Sequence, residues 1–154
     1  MNNQELKKFL VVAKRATYAN GMAKKVESLR PGSHDYRFKQ GEFIYHDTYF
    51  GGKKFIGEEV VYKNNQPIWA MNYHGQALDK NLSEASVDQA LRPALMKVGE
   101  GDILPLRGPK EFINGDWRYT FEVNGKINDF VGTEKIFFRG RVVYRLYCHG
   151  GEIK

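Results

Sequence analysis

Two glutamates carry the strongest chemical signal in this chain. Glu59 closes the run Phe55-Ile56-Gly57-Glu58-Glu59, and Glu134 closes Phe130-Val131-Gly132-Thr133-Glu134, the same pattern 75 residues later. Alternate side chains of an extended strand share a face. Phe55, Gly57, Glu59 and Val61 therefore line one face, as do Phe130, Gly132, Glu134 and Ile136 in the second copy. A carboxylate among apolar neighbours must find a cation or a donor, or else hold its proton to higher pH. That suits a pocket for a cationic or donor group, or a general base. A competing reading puts β-bulges at Gly57 and Gly132, which reverses the register and leaves both glutamates in water beside lysines. Asp47 and Glu122 also stand 75 residues apart and read as a second pair of related acids.

The remaining reactive residue types form no recognisable set. His34-Asp35 and His46-Asp47 contain metal-ligand residues, but His34, His46, His74 and His149 show no spaced ligand cluster, so no metal is expected. His74 and His149 each precede a glycine at matched strand ends, where hydrogen bonding at a turn accounts for them. Ser33-His34-Asp35 has the residue types of a hydrolase triad in direct succession. Adjacent residues cannot align as nucleophile, base and orienter, so the run reads as a turn. In Tyr147-Cys148-His149, strand neighbours point to opposite faces, which makes Cys148 a core residue. Gly51-Gly52-Lys53-Lys54 lacks the spacing and the following helix of a phosphate loop, and no cofactor is expected. Tyr45, Tyr49, Trp69 and Tyr73 either stack on a flat ligand or fill a sheet face. No catalytic residue is assigned, and whether the protein is an enzyme stays open.

The elements that must position these residues follow from periodicity. Leu6, Phe9, Leu10 and Ala13 predict an amphipathic helix from about Gln4 to Thr17, with Lys7, Lys8, Lys14 and Arg15 facing outward. An irregular connection follows, from Tyr18 to Asp35. Period-two patterns then predict strands near Tyr36–Lys39, Glu42–Phe50, Lys54–Lys63 and Pro67–His74, joined by short antiparallel turns. A second helix carries Val87, Ala90, Leu91, Ala94 and Leu95. Ser86 and Gln89 resemble its capping box, and Pro93 is expected to kink or split it. After a second irregular connection, Gly99 to Pro109, strands are expected at Lys110–Ile113, Trp117–Val123, Asn128–Phe138 and Arg141–His149.

Both halves thus read as helix, irregular connection and strand meander. The stretch Phe55–Gly75 repeats without a gap as Phe130–Gly150. The expected fold is α+β: one domain over residues 1–154, doubled at about 1–78 and 79–154 around a pseudo-twofold axis.

Composition bounds the partners. A hydrophobic share of 42% and a charged share of 27% are those of a globular protein. The net charge of +6 permits an acidic partner, but the basic residues are scattered, which does not favour nucleic acid. One cysteine excludes an internal disulfide, and the N-terminal residues lack a secretory pattern; both fit a cytoplasmic protein. No apolar run is long enough to suggest a membrane span.

The runs Arg30-Pro31-Gly32-Ser33-His34-Asp35, Asp47-Thr48-Tyr49-Phe50-Gly51-Gly52, Phe55-Ile56-Gly57-Glu58-Glu59, Pro67-Ile68-Trp69-Ala70-Met71-Asn72-Tyr73 and His149-Gly150-Gly151 span nearly the whole chain. They resemble a small family of uncharacterised bacterial domains, found alone or after a repressor-type helix-turn-helix. The resemblance carries no activity and no residue roles; by association it implies a sensor or effector-binding part.

The functional expectation is a non-catalytic small-molecule-binding or sensor-like domain, with its pocket where the halves meet. Asp47, Tyr49, Glu59, Trp69, Tyr73 and Glu134 are the expected ligand-binding residues, with Tyr18 and Arg30 closing over them from the irregular connection. One alternative is an enzyme on a small polar substrate, with a glutamate or His34 as base. Another is a protein or nucleic-acid interaction module on the open sheet face. The sequence leaves the oligomeric state undetermined.

Overall fold

A computed structural model describes residues 2–154. Helix α1 spans Asn3–Ala16, and Asn2 caps it by accepting a hydrogen bond from the Gln4 amide at 2.9 Å. Its stripe of Leu6, Phe9, Leu10 and Ala13 is buried, and Lys14 is buried with it. The outward expectation for Lys14 is therefore wrong. Lys14 follows Leu6 and Leu10 in steps of four, which is the spacing of one helix face.

Helix α2 spans Glu84–Leu95 and is capped by Ser83, whose hydroxyl accepts from the Ser86 amide at 3.1 Å. The helix begins ahead of Ser86, so the expected cap lies inside its first turn. Pro93 neither splits nor ends it. The proline falls in the last turn, where its missing N–H removes a single bond near the frayed end.

Eight strands follow the expected meanders: β1 His34–Gln40, β2 Phe43–Gly51, β3 Lys54–Lys63, β4 Gln66–Ala77, β5 Glu111–Asn114, β6 Trp117–Lys126, β7 Asp129–Phe138 and β8 Arg141–Glu152. They form one sheet in the order β1-β2-β3-β4-β8-β7-β6-β5, with every pairing antiparallel. Helix α1 packs on β1 and β2, and α2 packs on β6 and β7, so both helices cover one face. The fold is α+β, with far more strand than helix. Tyr45, Val61, Trp69, Met71, Phe121, Ile136 and Leu146 fill the covered side, while Ile56, Val131 and Tyr147 stand exposed on the other.

Registers decide where the acids point. The irregularities lie between Val61 and Tyr62 and between Ile136 and Phe137, beyond the glutamates rather than at Gly57 and Gly132. The alternation of each strand therefore reaches its glutamate intact. Glu59 and Glu134 lie on the covered face, 2% and 0% exposed, and the surface reading is overturned.

The pairing of Asp47 with Glu122 also fails. Gly51 stands opposite Phe55 and Gly125 opposite Phe130, so the second hairpin holds one residue more between matched positions. The residue facing Glu134 is Phe121; Glu122 faces Thr133 and is exposed. Both hairpins need their glycine. Gly51 and Gly125 have φ of 92° and 107°, and an added Cβ would sit 2.2 Å from the Lys54 or Asp129 carbonyl oxygen.

His74 and His149 are not at strand ends. Strands β4 and β8 run on to Ala77 and Glu152 because they pair with each other at the sheet centre, and both histidines lie exposed on the open face. No helix among the described residues is long and apolar enough to cross a membrane.

Candidate functional site

Between the covered face and the helices lies a cavity of about 310 Å³. Asp47, Glu59, Tyr73, Lys14 and Arg107 form its buried depth, and exposed Lys25, Gly52, Lys53 and Glu84 form its mouth. Helix α2 contributes Val87 and Leu91 to one wall.

The cavity exists where two acids meet across a ladder. Asp47 on β2 is the direct register partner of Glu59 on β3, and both side chains point to the covered face. Like charges placed directly opposite are destabilising, and burial adds to the cost. The protein answers the two acids differently. Glu59 pairs with the Lys14 ammonium. Asp47 receives one donor, the Tyr73 hydroxyl, at 2.6 Å from Oδ1. Among the described residues no cation pairs with Asp47 and no donor reaches Oδ2. Burial, reinforced by the neighbouring Glu59 charge, pushes its carboxyl up to about 7.

Gly57 makes the Tyr73 contact possible. It stands between Tyr73 on β4 and Tyr49 on β2 in the paired register. An added Cβ there would lie 2.5 Å from the Tyr73 hydroxyl and 2.5 Å from the Thr48 carbonyl oxygen. Without a side chain at Gly57, the phenol lies across β3 and reaches Asp47 on the far strand. Gly75 opens the same kind of space for the Phe55 ring, which packs 6.1 Å from Tyr73.

Aromatic groups line the way out. Tyr18 and Tyr49 meet edge to face at 6.0 Å, and His34 leans on Tyr49 at 4.9 Å. The Arg92 guanidinium lies 4.4 Å over Tyr18 and is held by Asp88 at 3.0 Å. Burial, followed by Asp88, pushes the Tyr18 hydroxyl upward, so it is neutral at physiological pH.

A second buried constellation sits behind Arg107. Glu134 accepts from Arg107 Nε at 2.9 Å and Nη2 at 2.8 Å, from Tyr119 at 2.6 Å and from Tyr144 at 3.1 Å. Both of its oxygens are in use, and the Tyr119 oxygen accepts in turn from the Gly108 amide at 2.8 Å. This acid has nothing left to offer a ligand.

Of the expected ligand-binding residues, Tyr18, Asp47, Tyr49, Glu59 and Tyr73 come together on the cavity. Trp69 does not line it; its indole N–H donates to the Ile127 carbonyl at 2.8 Å and its ring stacks on Phe130 at 5.9 Å. Glu134 is sealed off by Arg107. Arg30 lies away from the cavity, 5.2 Å over Phe50 and 3.5 Å from Glu58, so it does not close over it. Sequence reasoning missed Lys14 and Arg107. The four-residue step from Leu10 points to Lys14, whereas Arg107 sits in an irregular connection with no periodic signal.

The open face holds a smaller hollow around Asp35. This buried acid accepts from Ser33, from Thr48 at 2.6 Å and from His46 at 2.9 Å. Burial pushes its carboxyl up, but those hydrogen bonds outweigh it and hold the group below the ordinary range. His34 turns to the opposite side and lines the main cavity, so Ser33, His34 and Asp35 form no triad. Cys148 is buried, and burial pushes its thiol up to about 12. No cluster of three metal-ligating residues occurs among the described residues.

Residues 47–153 match the family described as Domain of unknown function (DUF5680). The chain belongs to that family. The DUF5680 match begins at Asp47, so it takes in Glu59, Tyr73, Arg107 and Glu134 but leaves out α1 and its Lys14. No curated protein and no solved structure matches the chain.

Proposed function

We propose that this domain binds a small molecule in the cavity between the sheet and its helices, and that it is a sensor-like rather than a catalytic module. One observation carries the reading: Asp47 is buried, has no cationic partner among the described residues and keeps one oxygen free, in a cavity that reaches the surface. Burying such a group costs several kcal/mol if nothing compensates it, and a purely structural acid is expected to be saturated as Glu134 is. The volume lies at the lower end of the range for small-molecule sites. The resemblance to domains found alone or after repressor-type helix-turn-helix segments supports the same reading by association only.

A fragment screen read by two-dimensional NMR tests this. Hits should perturb the amides of Asp47, Tyr49, Glu59 and Tyr73 together and raise the melting temperature with ligand concentration. Hits that map only to the open face, or a screen without hits, overturn the proposal.

A second reading rests on the ionisation of Asp47. A carboxyl near 7 is matched to general acid–base work at neutral pH, which makes the same cavity suitable for an enzyme on a small polar substrate. Turnover that is lost in Asp47→Asn with binding retained would favour it.

We also infer that the halves descend from one doubled unit. Supporting this, the strands succeed one another in matching order outward from the β4–β8 pair, and the two ladder irregularities fall at matched positions. Superposing Phe55–Gly75 on Phe130–Gly150 in a crystal structure tests it; unrelated backbone paths overturn it.

A further inference from the structure

The cavity is lined by cations as well as acids, and its preference follows from which of them are already paired. Lys14 is committed to Glu59, Arg107 to Glu134 and Arg92 to Asp88. Lys25 and Lys53 have no acidic partner among the described residues, but both are exposed at the mouth, where water and salt screen them. Among the described residues, the one unmatched charged group in the depth is Asp47. The Tyr73 hydroxyl does not compete for its free oxygen, because it already donates to Oδ1. Tyr49, Phe55 and Tyr73 surround the approach with ring surfaces, which attract cations and accept apolar bodies.

We propose that the cavity takes an ammonium compound with a compact aromatic or apolar body, its N–H groups donating to Asp47 Oδ2 and its body seated among Tyr49, Phe55 and Tyr73. This rests on the cavity being a ligand site and adds the class of ligand. An anion seated at the same depth would face Asp47 without a free cation, because Lys14 and Arg107 would first have to release their glutamates. A neutral isostere would fill the space but leave the carboxylate unmatched.

The ligand also couples to a proton. Asp47 is faced by Lys14 from α1, Glu59 from β3, Tyr73 from β4 and Arg107 from the connection after α2, with Tyr45 and Tyr49 beside it on β2. Its carboxyl ionises near neutrality, so ammonium binding displaces its proton and strengthens as pH rises from 5 to 8.

The test uses three probes of one shape on the full chain: phenethylamine, 2-phenylethanol and 3-phenylpropionate, titrated by calorimetry at pH 8. The amine should bind at least about tenfold tighter than either of the others, the scale of one charge-assisted hydrogen bond. Its affinity should fall on going to pH 5, although its own nitrogen stays protonated. Asp47→Asn, nearly isosteric, should erase both the preference and the pH dependence. Equal or tighter binding of the alcohol or the propionate overturns the ammonium class while leaving the cavity a ligand site. No binding by any of the three probes overturns the ligand class and also counts against the cavity as a site. The wild-type comparison decides the class whether or not the variant folds.

Discussion

Glu59 and Glu134 occupy matched places in their strands, yet one is closed and the other is unfinished. Glu134 is gripped by a bidentate arginine and two tyrosines, and the residue across the ladder is Phe121, which carries no charge. Glu59 is held by a lysine, and across the ladder stands a second acid, Asp47. Arginine presents a rigid fork that fits a carboxylate on both oxygens, whereas lysine offers a point charge on a flexible stem. A buried acid by itself therefore signals nothing about function. What matters is whether its neighbours use up its capacity to accept. The arginine side of the sheet is saturated and structural; the lysine side retains a free oxygen and an opening.

Four substitutions test the contrast. Arg107→Met leaves Glu134 with its two tyrosine donors but no cation, and we expect a loss of about 3–5 kcal/mol by chemical denaturation. Lys14→Met should cost less, about 1–3 kcal/mol, because the acid pair it leaves can hold a proton between them and touches the cavity. Equal losses from the two variants would erase the distinction.

The third effect is one of pH. The Asp47 carboxyl ionises near 7 in the folded protein and near 3.8 ordinarily, so the native state keeps a proton that the unfolded chain has released. That contribution is complete below the unfolded value and is lost as pH rises through about 7. Asp47→Asn should therefore gain on the wild type by on the order of 1–2 kcal/mol between pH 5.5 and pH 7, measured as the difference in denaturation midpoints. A constant difference across that range would show that Asp47 does not carry the proton. Tyr73→Phe is the mildest, at about 1 kcal/mol. It should also move the Asp47 titration upward in carboxyl-resolved NMR, because the donor that favours ionisation is gone; an unmoved titration would uncouple the two groups.

Much of this is legible in the sequence. Strand alternation put Glu59 and Glu134 beside Phe55 and Phe130, and the hairpin turns gave the meanders. Asp47, Tyr49 and Tyr73 were readable as one group because β2, β3 and β4 are consecutive and their turns are short. The partner cations were not. Lys14 looked like part of a polar face because three other basic residues surround it, and only the four-residue step from Leu10 betrays its side. Arg107 lies within a long irregular connection, so no period ties it to a distant strand. The misreading of Glu122 has a simple cause: one additional hairpin residue shifts β6 relative to β2, and a fixed offset in sequence cannot follow that shift.

The position of β8 bears on how the molecule is made. This strand leaves the ribosome after the seven others, yet its place is in the middle, between β4 and β7. Until it emerges, two half-sheets wait with bare hydrogen-bonding margins that invite pairing with a neighbouring chain. Assembly therefore closes like a zip drawn last through the centre, and the bare margins of β4 and β7 are covered only when residues 141–152 pair with them.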